Sequence, residues 1–326
     1  MEISQRAAPK KALSIAIMNN LQNTYSGFVQ YVLPQYTQEL EGLIKEARKD
    51  LDSEMVHDLR VCARRCRQMV GIVRAFLPYG AYRSVCPFLD GLVSRFSRLR
   101  NRDVFKEYLA ELQSNPQVSR FPLALKNLLN REQRKRSRQS RKFKSFWKEP
   151  FFQRGNQIFE GISQLLPHTN PNADARKKLV SQMRRQHNAA LKEVRAQYPV
   201  LFSQNDDKTL HRFRAALRRL RYTSEIVVHL SGTPPPSVAN RLKAWQTDVG
   251  RIHDFDIFLP RVRKRSAKVL SSGGNFLLVK DFDALEKYLM RERARAVRQF
   301  LKNLRRDQSW LDSHQVEPDW NKLNSQ

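Results

Sequence analysis

One helical motif occurs twice in this 326-residue chain, and the repeat constrains the fold more than any other feature of the sequence. The pattern H-x-x-R-x-x-x-R-R-x-R begins at His57 and again at His211, 154 residues later. At about 100° per residue, the histidine and three of the arginines fall within a helix sector of about 80°, and apolar residues fill the opposite side. The repeat predicts two similar halves, each with an amphipathic helix that bears a basic stripe.

The basic stripe contains arginine and no lysine in both copies. Like charges three and four residues apart on a helix repel each other by a few tenths of a kcal/mol per pair, so a repeated stripe indicates a bound anion. The planar guanidinium group can hold two phosphate oxygens at once, and we therefore predict phosphate binding. The candidate residues in the two stripes are His57, Arg60, Arg64, Arg67, His211, Arg214, Arg218 and Arg221.

The chain as a whole is strongly basic. Lys and Arg number 60 against 31 Asp and Glu, for a net charge of +29. Such a field attracts polyanions, namely nucleic acid, an anionic membrane surface or polyphosphate. The excess is uneven, since residues 126–148 hold ten basic residues and the single acid Glu132. The additional basic helices contribute further candidate residues, namely Arg131, Arg134, Arg138, Arg184, Arg291 and Arg295.

Composition predicts an all-α fold. Only 11 residues are Gly, about half of the usual ~7% share, and no run alternates with a period of two. We predict a single domain over residues 12–306, made of a first helical half at 12–166 and a second at 174–306. A basic helix at 176–195 is expected to begin the second half. Residues 307–326 are polar without an apolar period, so we expect a loosely attached tail there.

Cysteine content and hydropathy indicate the compartment. Cys62, Cys66 and Cys86 are too few for a disulfide framework and suit a reducing environment. Cys62 and Cys66 lie on the apolar side of their helix, which favours buried packing over metal binding. No segment approaches the ~18 to 20 apolar residues of a membrane span. We therefore expect a soluble, cytoplasmic protein with no cofactor, no metal and no membrane partner.

A second segment is repeated at nearly the same distance. Residues 97–105 (SRLRNRDVF) align with residues 250–258 (GRIHDFDIF), 153 residues later. A single deleted loop residue accounts for the change from 154. Each copy contains an aspartate, Asp103 or Asp256, and we interpret both as structural residues that cap a helix or orient an arginine.

With these two pairs of motifs the chain resembles the CHAD domain, a histidine-containing α-helical domain, over roughly residues 12–306. The resemblance implies two similar helical bundles related by a pseudo-twofold axis, with the basic helices facing each other across a central groove or pore. It also implies binding of inorganic polyphosphate by the His and Arg residues of both stripes together with Arg65 and Arg219, and an association with polyphosphate granules.

Three alternatives to polyphosphate binding have some support in the sequence. The dipeptide His253-Asp254 is of a kind that metal-dependent phosphohydrolases use, but the first repeat has Arg100-Asn101 at this place. We therefore expect no catalytic residue and no enzymatic activity. RNA or DNA is a rival and competing partner, because aromatic residues at 143–152 follow a basic run and could stack on bases. Helical spacing favours core packing for these aromatics. A granule scaffold or adaptor is the third alternative.

Overall fold

The computed structural model describes residues 33–115, 120–165, 173–204, 206–231, 236–273, 275–313, 318 and 320. These residues form helices and contain no β-strand, which confirms the all-α prediction. The expected domain start at residue 12 and the expected boundary between the halves at 167–172 lie outside the described residues. The helices, numbered in chain order, are α1 (Leu33–Ala47), α2 (Ser53–Ile72), α3 (Tyr79–Ser114), α4 (Pro122–Phe146), α5 (Pro150–Leu165), α6 (Ala173–Gln204), α7 (Asp207–Ser231), α8 (Pro236–Ser271), α9 (Phe276–Arg306) and α10 (Gln308–Asp312).

The two copies of the repeated motif form α2 and α7, and both helices begin in the same way. Asp52 caps α2 by accepting a hydrogen bond from the backbone N–H of Met55 at 2.7 Å. Asp206 accepts one from the backbone N–H of Thr209 at 2.6 Å, directly before α7. A carboxylate in this position satisfies a backbone donor that the first helical turn leaves free. Asp52 and Asp206 are also 154 residues apart, so the repeat includes the start of each helix.

Three hydrophobic cores lie between the helices. The first is formed mainly by α1, α2, α3 and α5, and the second by parts of α6 to α10. The third combines the C-terminal part of α3 and the N-terminal part of α4 with α8 and α9. Within it, Phe105 stacks on Phe258 with ring centroids 4.7 Å apart. The two predicted halves therefore share a buried core, while their relation by a pseudo-twofold axis stays a prediction.

Helix α6 contributes to two of these cores. Leu179, Val180 and Met183 near its N-terminus belong to the first core. The stretch from Ala190 to Leu201 packs in the second core. A helix of 32 residues is about 48 Å long, so α6 is long enough to extend across both. Helix α6 therefore connects the first core to the second, and the expectation that it begins the second half stays a prediction.

The residues that follow α9 pack in two of the cores, Trp310 and Leu311 in the second and Trp320 in the first. Asp307 accepts a hydrogen bond from the indole N–H of Trp245 at 2.7 Å. Trp310 meets the same indole edge-on, with ring centroids 5.3 Å apart, and Leu311 and Trp320 are also buried. The prediction of a loosely attached tail is wrong at these positions. Isolated aromatic residues leave no periodic pattern in the sequence, yet each buries a large area.

The cysteines of the first motif pack as predicted. Cys62 and Cys66 are buried, and both thiols donate to the backbone carbonyl of Tyr36 at 3.6 and 3.4 Å. The apolar side of α2 therefore faces α1, which leaves the arginine stripe on another side of the helix. Within the described part of the chain, no helix is long and apolar enough to cross a membrane.

Candidate anion-binding site

The arginine stripes of α2 and α7 come together where these helices touch each other. Arg64 of α2 interacts electrostatically with Arg214 and Arg218 of α7. Arg60 of α2 interacts with the same two residues. The structure thus groups four of the predicted residues, one pair from each copy of the motif. We call Arg60, Arg64, Arg214 and Arg218 the central arginine cluster.

Burial and mutual repulsion act on every member of the central arginine cluster. Burial, followed by the charge of Arg60, lowers the pKa of Arg64 to about 10. Burial and the charge of Arg64 lower the pKa of Arg218 to about 10. The same kinds of interaction lower the pKa of Arg60 to about 10 and shift the pKa of Arg214 downward. Since guanidinium groups stay protonated at neutral pH, four positive charges lie close together.

The central arginine cluster has hydrogen-bond donors without acceptors. The Nε atoms of Arg60 and Arg214 are buried and lack a hydrogen-bond partner among the described residues. No described carboxylate forms an ion pair with any of the four arginines. Arg64 donates to the hydroxyl of Ser97 at 3.3 Å. Buried donors without partners cost free energy, and a bound anion would supply the missing acceptors.

The remaining arginines of the two motifs are paired with carboxylates. These pairs are Arg65–Glu225 at 3.8 Å, Arg67–Asp90 at 3.1 Å, Arg219–Glu193, and Arg221–Glu225 at 2.7 Å. Ion pairs that remain partly in contact with water contribute about 0 to 1 kcal/mol, so a polyanion can compete with these carboxylates. The paired arginines directly follow Arg64 and Arg218 along the same two helices.

The second repeated segment brings two more basic side chains to the cluster, which sequence reasoning missed. Arg100 of α3 interacts with Arg60. His253 of α8, its counterpart at the repeat distance, lies near Arg214, and burial together with that charge lowers the pKa of His253 to about 4. The signal was present in the sequence. The two motif pairs recur at nearly the same offset, 154 and 153 residues, so each second segment lies at nearly the same distance along the chain from its basic helix.

Asp254 brings a carboxylate to the central arginine cluster. It interacts with Arg214, Arg100 and Arg60, and burial raises its pKa to about 6 in spite of their attraction. The first repeat has Asn101 in the corresponding position. The two halves therefore differ in charge at this place, with a titratable acid on one side only.

Asp103 and Asp256 orient arginines, as predicted. Arg136 of α4 donates to Asp103 at 2.9 Å and also to the backbone carbonyl that precedes the cap of α2. Arg293 of α9 donates to Asp256 at 2.6 Å and also to Asp207 at the start of α7. In each half the second segment is thus tied through an arginine to the beginning of a basic helix.

The two motif histidines lie in different environments. Burial, followed by the charges of Arg60 and Arg100, lowers the pKa of His57. Its Nδ1 atom is buried without a described hydrogen-bond partner. His211 is exposed, and its ring centroid lies 6.0 Å from that of His253. Both of these rings line a cavity of about 620 Å³ at the N-terminal end of α7.

The other predicted arginines do not join the central arginine cluster. Five of them are exposed on α4, α6 and α9, namely Arg134, Arg138, Arg184, Arg291 and Arg295. Arg131 is half-buried, with one buried Nη1 atom that lacks a described partner, and it interacts with Arg265 of α8. In the sequence, charge alone points to these residues. Which surface a helix presents is set by its packing, and charge does not reveal it.

The aromatic run at residues 143–152 belongs to the first core. Phe143, Phe146, Trp147 and Phe152 are buried, whereas Phe151 is exposed. Phe143 stacks on Phe96 of α3 with ring centroids 5.1 Å apart. Four of the five aromatic rings are therefore not available for stacking on bases. Within the described ranges, no group of three or more His, Cys, Asp or Glu residues could hold a metal ion.

An all-α fold with two facing, arginine-lined helices defines the class of this protein. The CHAD domain family model matches residues 32–263, and the chain belongs to the CHAD domain family. The fold is similar to the crystal structure of the CHAD domain from the plant Ricinus communis, with a TM-score of 0.60 and 15% identity, covering 86% of this chain and 90% of that chain.

A second solved structure shares this fold. PptA from Streptomyces chartreusis is similar with a TM-score of 0.61 and 15% identity, covering 87% of this chain and 98% of that chain. At this level of identity, both similarities concern the fold alone. A comparison with curated protein sequences gave no match.

Proposed function

We propose that this protein binds inorganic polyphosphate through the central arginine cluster. One observation carries the proposal: Arg60, Arg64, Arg214 and Arg218 converge from two helices without an ion-paired carboxylate in the described chain. Phosphate oxygens accept charge-assisted hydrogen bonds from guanidinium groups, often two at a time. Some members of the CHAD family bind polyphosphate, and the cluster supplies a physical basis for the same role here.

The chemistry of the cluster favours polyphosphate over nucleic acid. A linear phosphate polymer needs only closely spaced donors, whereas single-stranded nucleic acid is held by stacking of its bases as well as by charge. The aromatic run at 143–152 is largely buried and offers little stacking surface. Apart from Asp254, the groups that converge on the site are donors to anions, and we propose binding without catalysis. Binding to the polymer would also place the protein on polyphosphate granules.

The test is a pair of double variants that remove equal charge. Arg64→Ala with Arg218→Ala should weaken binding of a fluorescently labelled short polyphosphate by about 100-fold, since each charge-assisted hydrogen bond contributes roughly 1.5 kcal/mol. Arg83→Ala with Arg154→Ala removes two exposed arginines from α3 and α5 and should change affinity by less than about twofold. Equal losses in both variants would indicate diffuse charge attraction and refute a defined site.

Competition separates the alternative partners. RNA, duplex DNA and short phosphates are added to the labelled complex at fixed ionic strength and equal phosphate concentration. Polyphosphate should displace the label most efficiently, and a preference for RNA would favour the nucleic-acid alternative. For the adaptor alternative, a pull-down is compared between cells with and without polyphosphate. Protein partners that persist without the polymer would favour an adaptor.

A further inference from the structure

A second basic surface runs along α9. Its five members are exposed and follow one another at intervals of four, three, four and three residues, which places them within a helix sector of about 80°. The surface is about 21 Å long from its first to its last member. We call it the α9 stripe, and it consists of Arg291, Arg295, Arg298, Lys302 and Arg305.

The α9 stripe lies on the side of its helix that faces away from α7. Phe300, about 180° around α9 from the middle of the stripe, is buried and packs against Phe213 of α7 with ring centroids 5.9 Å apart. Phe213 belongs to the apolar side of α7, whereas Arg214 and Arg218 belong to its basic side. The second hydrophobic core therefore separates the α9 stripe from the central arginine cluster.

The positive charge of the α9 stripe is largely uncompensated. Residues 293–306 contain no acidic residue. Arg295 pairs with Glu292 at 2.6 Å, and no other member forms an ion pair with a described residue. The helix dipole favours cations only in the last turn, so it accounts for Arg305 but not for Arg291. Repulsion between like charges three and four residues apart disfavours the other members of the α9 stripe.

We propose that the α9 stripe is a second polyanion-binding surface and that one molecule bridges two segments of polyphosphate, one on the stripe and one at the central arginine cluster. This inference rests on the proposed function. Since a hydrophobic core separates the two surfaces, a short polymer cannot reach both at once. One protein molecule can hold two segments of a long polymer, or two separate polymers. Such cross-linking builds a network without any new contact between protein molecules.

The test combines two polymer lengths with two matched triple variants. The stripe variant carries Arg295→Gln, Arg298→Gln and Lys302→Gln. The control variant carries Arg83→Gln, Arg154→Gln and Lys243→Gln, which remove the same charge from exposed positions scattered over α3, α5 and α8. Affinity for short polyphosphate is measured by anisotropy, and assembly with long polyphosphate is measured by light scattering at fixed ionic strength.

The stripe variant should bind short polyphosphate within about threefold of the unmodified protein, yet need about tenfold more protein to form assemblies with the long polymer. The control variant should assemble like the unmodified protein. Unchanged assembly of the stripe variant would overturn the inference. So would a loss of short-polymer binding as large as that of Arg64→Ala with Arg218→Ala, or assembly with RNA but not with polyphosphate. An unmodified protein that fails to bind short polyphosphate would instead refute the proposed function itself, and the inference with it.

Discussion

Arg60 of α2 and Arg214 of α7 occupy equivalent positions of the repeated motif, and each has a buried Nε atom that lacks a hydrogen-bond partner among the described residues. A buried donor without an acceptor opposes folding. The same cost at two equivalent positions is typical of a site arranged for a ligand instead of for stability.

The shape of the side chain, as well as its charge, should affect the affinity for polyphosphate at Arg60 and Arg214. Arg60→Lys with Arg214→Lys keeps both positive charges but replaces the planar fork with a point charge. We expect affinity for short polyphosphate to fall about tenfold, which corresponds to about 1.4 kcal/mol. Isothermal titration calorimetry checks the result. Unchanged affinity would mean that charge alone holds the polymer.

Binding should weaken as salt rises, with a slope that reports the number of contacts. Each phosphate contact contributes about 0.7 to the slope of log affinity against log salt for a single-stranded polyanion. Removing Arg64 and Arg218 should therefore reduce the slope by about 1.4. A titration series in potassium chloride measures it. The same slope in both proteins would show that these two side chains release no counterions.

Asp254 should make binding depend on pH. Its pKa is raised to about 6 by burial, so lowering the pH through 6 removes a negative charge beside Arg214, Arg100 and Arg60. Affinity should therefore rise between about pH 7.5 and pH 5.5, helped by protonation of His57 when phosphate binds. Asp254→Asn should bind more tightly than the unmodified protein at about pH 7.5 and show a flatter pH profile.

Stability gives a second readout for Asp254. The folded state holds the Asp254 proton more tightly than the unfolded chain does, so the free energy of unfolding falls as pH rises from about 4 to about 6. Asp254→Asn removes this loss and should raise the Tm at neutral pH. Asp283→Asn, at an exposed position of α9, is the control. A pH profile of Asp254→Asn identical to that of the unmodified protein would contradict the assignment.

A buried carboxylate should hold the two halves together. Glu132 of α4 pairs with Arg102 of α3 at 2.5 Å and with Arg261 of α8 at 3.6 Å, and its side chain is only 3% exposed. Glu132→Ala leaves two positive charges without their counter-ion and should cost about 3 kcal/mol of unfolding free energy. Asp90→Ala, which breaks an exposed pair with Arg67, should cost less than about 1 kcal/mol. Urea unfolding measures the free energy of unfolding of both variants. Equal losses would contradict the prediction that Glu132 holds the two halves together.

The segment after α9 should contribute to stability. Trp310 packs against Trp245, and the guanidinium carbon of Arg241 lies 4.8 Å from the Trp310 ring centroid. Trp310→Ala should cost roughly 3 kcal/mol. Trp320, further along the chain, is a second buried indole. The control is Ser309→Ala, which changes an exposed position. Thermal unfolding followed by circular dichroism measures both, and a Tm equal to that of the control would support a loosely attached tail after all.

Several features of this protein could be read from residue order alone. The all-α class followed from few glycines and from helical periodicity, because apolar side chains that repeat every three to four residues must share one side of a helix. The nearly equal offsets of the two motif pairs indicated that Arg60 and Arg214 have equivalent roles, and likewise Asp103 and Asp256. Periodicity and repetition are properties of the residue order itself, so they can be recognised without coordinates.

Packing between distant segments decided the rest. It selected four arginines for the central cluster and left Arg67 and Arg219 with carboxylate partners from other helices. It placed Asp254 among guanidinium groups and buried Trp310, for which no pattern existed in the sequence. Ion pairing and desolvation depend on which surfaces meet across large sequence separations, and residue order does not contain those distances.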